Sequence, residues 1–230
     1  MTVAAMIAIV LLGNASPAAA DPVPDSTPLR VMVVGDSITQ GRGADDPWRC
    51  HLYRAIRELR PVDMVGVRSD LYGAPDGSSR YAADCDPDHA AYWGRQLAAS
   101  ADTVRADVTA AHPDVIVVLA GTNDINLGHS VDQVAADFRR FVAEARVADP
   151  DIRIVAGTVL PTNGVVDQVR ITAYNRWLWQ RADELDVQLA TTAAAIDPTT
   201  DLYDGVHPNG QGAARIAGAF LAGVTERVAE

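Results

Sequence analysis

Basic residues are scarce in this chain of 230 amino acids. Its 19 Lys and Arg stand against 30 Asp and Glu, a formal charge of −11. Phosphate backbones are held by clustered cations, so no nucleic-acid partner is expected. Cysteine is scarcer still, with only Cys50 and Cys85. Neither Cys-x-x-Cys redox spacing nor a four-ligand zinc pattern is present, and no metal or organic cofactor is expected. From Asp21 onward no stretch is apolar enough to span a bilayer, so no integral span is expected in that part. The P-loop and Gly-x-Gly-x-x-Gly signatures of nucleotide sites are absent. So are internal repeats and low-complexity tracts.

What is present is a chain 48% hydrophobic, enough for one domain with a sizeable core and too little for two. Val3 to Leu12 form a short apolar run, followed by Gly13, Asn14, Ser16, Pro17 and then Ala18-Ala19-Ala20. This reads as a secretory signal peptide over residues 1–20, cut before Asp21, although the usual positive charge near Met1 is missing; an uncleaved anchor or an apolar tail is the alternative. Residues 21–28 carry Pro22, Pro24 and Pro28 and read as an extended linker into a domain over 29–230. Export puts the protein outside the cell or in its envelope. There an even pair of cysteines reads as one disulfide, Cys50–Cys85, tying the first long helix to a downstream loop.

From Leu29 short apolar runs alternate with longer amphipathic segments. Strands are expected at Arg30–Val34, Val62–Val67, Val115–Leu119, Ile152–Leu160 and Val187–Ala193. Helical spacing marks Pro47–Leu59, Gly94–Ala111, Val131–Ala148, Val166–Leu185 and Pro208–Val228, with Pro208 in the first turn of the last. The run Val115-Ile116-Val117-Val118-Leu119 has no polar alternation, as in a strand covered on both faces. Such alternation implies an α/β fold: a three-layer α/β/α sandwich around a five-stranded parallel sheet. Ser69 to Asp88, rich in Gly, Pro, Asp and Ser, reads as a long loop of the kind that tends to carry function.

In open parallel sheets, sites gather beyond the carboxyl ends of the strands. Three motifs fall there. Gly35-Asp36-Ser37-Ile38-Thr39 follows the first strand, and alone is equally a strand-to-helix cap made by Asp36 or Ser37. Gly121-Thr122-Asn123-Asp124 follows the strand ending at Leu119, and alone is an ordinary turn. Asp204-Gly205-Val206-His207-Pro208 precedes the last helix, with an Asp three residues ahead of a His and able to reach its Nδ1–H. A serine hydroxyl becomes a nucleophile when a positioned base takes its proton, and the three motifs together supply serine, base and acid.

Order and spacing of these blocks resemble the SGNH hydrolase superfamily, the GDSL esterases and lipases, over nearly the whole chain from Arg30. The resemblance implies a flavodoxin-like sheet with Ser37 as nucleophile, His207 as general base and Asp204 as its orienting acid. It also implies an oxyanion hole from the Ser37 N–H, Asn123 and a glycine. The best match for that glycine is Gly94, in Asp88-His89-Ala90-Ala91-Tyr92-Trp93-Gly94, with Gly73 the alternative. The serine block carries Ile38 where many members have Leu. The Gly-x-Ser-x-Gly elbow of the α/β-hydrolase fold is absent.

The activity so implied is ester hydrolysis through an acyl-enzyme. The stretch Tyr53–Val67, the Asp88-His89 block and the Gly-Thr-Asn-Asp block are similar to acetylxylan-type carbohydrate esterases, which implies a short acyl group on a small-molecule or polysaccharide carbohydrate ester. The rival within the superfamily is a lipase or lysophospholipase for longer chains. The rival from another class is a non-catalytic surface protein with a relict site. Of the other histidines, His51 and His112 read as structural or solvated. His89, with Trp48, Tyr92 and Trp93, is a candidate for the cleft wall, and at least one of Trp177 and Trp179 is expected in the core.

Overall fold

The chain leaves its first strand directly into a one-turn helix, and the rest of the fold is arranged around that junction. The computed structural model describes residues 27–42, 46–73 and 84–226. The expected signal peptide, residues 21–26 of the expected linker and residues 74–83 of the long loop lie outside the described residues. In chain order the elements are β1 (Leu29–Gly35), α1 (Ser37–Gln40), α2 (Trp48–Arg57), β2 (Val62–Val65), β3 (Ala90–Ala91), α3 (Leu97–Ala111) and β4 (Val115–Leu119). Then follow α4 (Thr122–Asn126), α5 (Val131–Ala148), β5 (Arg153–Gly157), α6 (Gln168–Leu185), β6 (Gln188–Ala190), α7 (Thr192–Ala195) and α8 (Gly210–Thr225).

The sheet runs in the order β2-β1-β4-β5-β6, and every pairing is parallel. Val33 pairs with Val117 at the centre of the β1–β4 register. The apolar runs are explained by burial on both faces. Val31 and Val33 of β1 and Val117 and Leu119 of β4 pack with Trp48, Leu52, Ile56, Ile216 and Phe220 of α2 and α8. Their neighbours Met32, Val34, Ile116 and Val118 pack with Leu97, Val104, Phe138, Phe141 and Ile171 of α3, α5 and α6. The result is three layers, α2 and α8 on one side and α3, α5 and α6 on the other.

The sheet has six strands, not the expected five. β3 pairs Ala90 and Ala91 with Val34 and Gly35, beyond the point where β2 ends at Val65. Two residues are too few to display a period of two, so this strand has no sequence signal. The last helix also differs. Asn209 is its N-cap, its side chain accepting from the N–H groups of Gln211 and Gly212 at 3.1 and 3.0 Å, so Pro208 lies before the helix. The segment expected to be one strand from Val187 to Ala193 is instead the short β6 followed by α7.

Cys50 and Cys85 form a disulfide with their Cα atoms 5.0 Å apart, joining α2 to the segment that leads into β3. Beside it Arg49 is wholly buried. Its guanidinium donates to the carbonyls of Thr39 (3.2 Å), Gln40 (3.2 Å) and Pro87 (2.8 Å). Those bonds satisfy carbonyls that the C-terminal end of α1 leaves without helical partners. Thus α1 is tied to α2 and, through Pro87 and the disulfide, to the strand approaching the cleft. No helix among the described residues is long and apolar enough to cross a membrane.

Candidate active site

Strand order reverses at β1, which has β2 on one side and β4 on the other. Connections leaving the carboxyl ends of β1 and β4 therefore diverge, and a crevice opens between them. Ser37 follows β1 and Asn123 follows β4.

The turn into α1 is built by Asp36 and Gly35. Asp36 is the N-cap, its Oδ1 accepting the Ile38 N–H at 3.0 Å. That places Ser37 at the first helical position, where the backbone N–H has no acceptor within the helix. Gly35 is needed for close approach, because a Cβ there would stand 2.5 Å from the Leu119 carbonyl oxygen in β4. A Gly35→Ala variant is expected to lose about 3 kcal/mol to overpacking. In a domain of this size that lowers Tm by roughly 6–12 °C. A calorimetric shift of less than 2 °C would contradict this account of the junction.

His207 reaches the crevice from a narrow loop. Tyr203 donates its N–H to the His207 carbonyl at 3.0 Å, and Leu202 bridges to Pro208. Inside the loop Asp204 Oδ1 accepts the N–H groups of Val206 (3.0 Å) and His207 (2.8 Å), an Asx turn. The other carboxylate oxygen, Oδ2, lies 2.7 Å from His207 Nδ1, and His207 Nε2 lies 2.8 Å from Ser37 Oγ. Partial burial acts to raise the Asp204 carboxyl. The hydrogen bonds from the His207 backbone, the His207 ring and the Val206 backbone outweigh it and hold the group below the usual carboxylate range. Asp204, His207 and Ser37 thus stand in one hydrogen-bonded line.

Asn123 and Gly94 face the same serine. Gly94 occupies the third position of a turn closed by the Arg95 N–H to the Tyr92 carbonyl at 3.2 Å, with φ of 74°. That conformation favours glycine. α3 begins only at Leu97, so Gly94 precedes the helix it was expected to open. Gly73 also has positive φ but does not line this crevice. Asn123 Nδ2 donates to the Arg95 carbonyl (3.1 Å) and to Asp36 Oδ2 (3.2 Å). Asp36 therefore holds the serine turn with one oxygen and Asn123 with the other. Burial pushes its carboxyl up to about 7; the Ile38 N–H opposes the shift and the Asp124 charge adds to it.

Two cavities meet at the Ser37–His207 pair and share only those two residues. The larger, about 290 Å³, is walled by Ile38, Pro47, Tyr203 and Ala213 and carries Arg42 and Asp46. The smaller, about 160 Å³, is walled by Gly94, Asn123, Val165, Val166 and Val206. The candidate oxyanion donors Gly94 and Asn123 belong to the smaller lobe alone.

Other expected cleft residues lie elsewhere. His89 is wholly buried. Its Nε2 donates to the Asp70 carbonyl at 2.9 Å and its Nδ1 accepts the Ala91 N–H at 3.0 Å. Burial, with the Arg49 charge adding, lowers its pKa to about 3, so it serves β3 as a neutral ring. Trp48 is core, stacked on Phe220 at 4.9 Å. Trp177 packs partly buried against the core while Trp179 is exposed. Of that group only Trp93 lines the crevice, its ring 4.9 Å from that of His207. Asp124, His129 and Asp137 bring ligand-type atoms within 4.8 Å of one another. Asp124, however, directs both oxygens at the Leu97 N–H. Sequence reasoning passed over Tyr203, which no motif marked apart from its place beside Asp204. It also passed over Gln40, one helical turn after Ser37, whose Oε1 accepts the Trp93 N–H at 2.7 Å and whose Nε2 donates to Asp70 at 3.0 Å.

A three-layer parallel fold with serine, histidine and aspartate aligned at its switch point has the arrangement of a serine hydrolase site. The chain belongs to the GDSL-like lipase/acylhydrolase family, whose pattern matches residues 33–215. It is similar to a crystal structure of a carbohydrate esterase family 3 protein from Talaromyces cellulolyticus, at 29% identity and a TM-score of 0.70. That match covers 84% of this chain and 95% of the other. An acetyl esterase variant crystallised with an acetate ion is 28% identical with the same TM-score and the same two coverages. A multidomain esterase of Ruminococcus flavefaciens is 27% identical over 210 residues, 80% of this chain; the match spans only 27% of that protein.

Proposed function

We propose that this chain is an exported serine esterase that removes short acyl groups from a carbohydrate through an acyl-enzyme. The observation that carries the reading is the hydrogen-bonded line Asp204–His207–Ser37, set at the boundary of two lobes. Ser37 Oγ attacks the ester carbonyl as His207 Nε2 takes its proton, and Asp204 keeps the Nδ1–H tautomer in place. The carbonyl oxygen becomes an oxyanion facing the Ser37 N–H, Gly94 and Asn123, a group of donors each worth about 10²–10³ in rate. To donate, Asn123 exchanges its 3.2 Å bond to Asp36, the longer of its two, for a bond to the charged oxygen. The C–O bond to the alcohol then breaks, and His207 gives its proton to the departing oxygen. Water, deprotonated by His207, attacks the acyl carbon, and Ser37 leaves with that proton. A base of this kind works only in its neutral form.

The oxyanion donors lie in the smaller lobe, so the acyl group enters there and the alcohol takes the larger one. The lobe of about 160 Å³, the smaller of the two, suits a short acyl group such as acetyl or propionyl. The acetyl esterase and carbohydrate esterase relatives support the same reading. The disulfide supports folding in an oxidising compartment, consistent with export. A series of nitrophenyl esters from acetate to palmitate tests the acyl assignment. We expect kcat/KM to fall at least tenfold between acetate and octanoate. A preference for the long chains would establish the lipase reading instead.

A further inference from the structure

Gly94 stands in the smaller lobe with nothing packed against it. It is exposed, and a Cβ built on it would meet no atom within 4 Å. Among the described residues its N–H has no acceptor. A donor for an oxyanion needs that freedom. It also needs a fixed place, since a misplacement of about 1 Å can cost 10²-fold in rate. Packing does not supply the place, so the hydrogen bonds of the neighbouring residues must.

Three such bonds clamp the turn. The Tyr92 N–H donates to the Gly35 carbonyl in β1 at 3.1 Å, and the Arg95 carbonyl accepts Asn123 Nδ2 at 3.1 Å. Between them the Trp93 N–H donates to Gln40 Oε1 at 2.7 Å, the shortest of the three. Gln40 follows Ser37 by three residues in the single turn of α1, so the two share a face of that helix. Its backbone carbonyl is held by Arg49 at 3.2 Å, and Gln40 is only 2% exposed. The far end of the amide is fixed too. Nε2 donates to Asp70 Oδ2 at 3.0 Å, and that oxygen also accepts Arg68 Nη2 at 2.5 Å. An ionised carboxylate only accepts, so it takes the amide nitrogen and leaves Oε1 for the Trp93 N–H. Stacking between Tyr72 and His207 fixes the Trp93 ring; the bond from its N–H fixes the backbone that continues into Gly94.

We propose that Gln40 is a positioning residue for the oxyanion hole, holding the Gly94 N–H at a set distance from Ser37, with Asp70 fixing the orientation of its amide. Gln40 touches neither the substrate nor the reacting atoms and acts through the Trp93–Gly94 turn. This rests on the oxyanion reading above, in which Gly94 is a donor, and adds to it the link that ties this donor to the nucleophile's own helix. The link serves an interaction made in the transition state, so its loss lowers kcat and leaves KM nearly unchanged.

The test is Gln40→Met, which keeps the buried volume and loses the acceptor, read on 4-nitrophenyl acetate. We expect kcat to fall by about 10–10²-fold, with KM within about twofold of the original. Methylboronic acid adds to a serine hydroxyl and puts a charged oxygen where the oxyanion forms, so its inhibition constant should rise in step with the fall in kcat. Asp70→Ala, at a half-buried position, leaves the amide in place but untethered. It should show the same pattern at about two- to fivefold. Asn123→Ala is the reference, since it removes an oxyanion donor outright. If it lowers kcat by about 10²-fold or more while Gln40→Met stays within about twofold, the positioning role is overturned and the oxyanion reading stands. A fall in Gln40→Met with KM rising in step and the boronate constant unmoved is general distortion of the site, and overturns the role as well. Should Gln40→Met fail to fold, Asp70→Ala decides, and unchanged kcat and boronate inhibition there overturn the proposal. Full activity in Asn123→Ala overturns the oxyanion reading, and the positioning role with it.

Discussion

Ser37→Ala is expected to lower kcat on a short-chain nitrophenyl ester by about 10⁴–10⁶ while leaving the fold intact. The loss is large because, in the proposed mechanism, the hydroxyl is the atom that forms the covalent bond. The fold survives because the turn rests on Asp36 and Gly35 rather than on the serine side chain, whose oxygen bonds to the His207 ring at 2.8 Å. The backbone N–H at position 37 is also kept, so the proposed oxyanion donors remain and substrate is expected still to bind. A fluorophosphonate probe, which phosphonylates an activated serine, should label the unaltered protein and fail on the variant. Retention of a few per cent of the activity would remove Ser37 from the mechanism. Absence of labelling in the unaltered protein, with no turnover of any ester, would favour the relict binding protein.

The sequence carried the sheet well where burial is two-sided and poorly where structure is made by single contacts. β4 was legible because Val115 to Leu119 meets helices on both faces, which leaves no polar alternation. α5 was legible from its apolar stripe of Val134, Phe138, Phe141, Val142 and Ala145. β3 was not, since its two alanines are a strand only through their pairing with Val34 and Gly35. The start of α3 was misplaced because Gly94 is held in a turn and Asp124, remote in sequence, meets the first helical N–H at Leu97.

Within the crevice, the residues that the motifs singled out stand together, whereas those that support them came from elsewhere. Asp36 gave a cap signal, but its second bond, to Asn123, depends on the β1–β4 register. Arg49 lies in the expected helix Pro47–Leu59 with no motif to mark it. It is buried among carbonyls of Thr39, Gln40 and Pro87, a role set by the disulfide-linked segment behind α1. His89 was drawn toward the cleft by its place near Gly94, yet its two ring nitrogens are spent on backbone groups. Short-range patterns report faces and caps; they say little about which distant carbonyl a long side chain will meet.

Asp204→Asn and Asp204→Ala should separate the two tasks of this carboxylate, because each variant keeps what the other loses. Asparagine retains an oxygen for the Val206 and His207 N–H groups, so the Asx turn persists. Its amide nitrogen, however, takes the place of Oδ2, 2.7 Å from His207 Nδ1. Two donors cannot face each other, so Nδ1 becomes the acceptor and the ring proton moves to Nε2. That proton then points at Ser37 Oγ, and the ring can no longer receive the serine proton. A fall in kcat of about 10³–10⁴ is expected, with KM little changed. Alanine leaves the tautomer free, so its kcat should fall less, but it abandons two backbone N–H groups and should melt at the lower temperature of the two. The pH dependence has a definite sign. The folded carboxyl is held below its ordinary value near 3.9. Its contribution to stability is therefore fully present above that value and is lost as pH falls through the folded one. Either substitution should remove that acid-side loss. An asparagine variant with more than a tenth of the original kcat, or an alanine variant that melts higher than the asparagine one, would show that Asp204 does not set the tautomer and hold the loop at once.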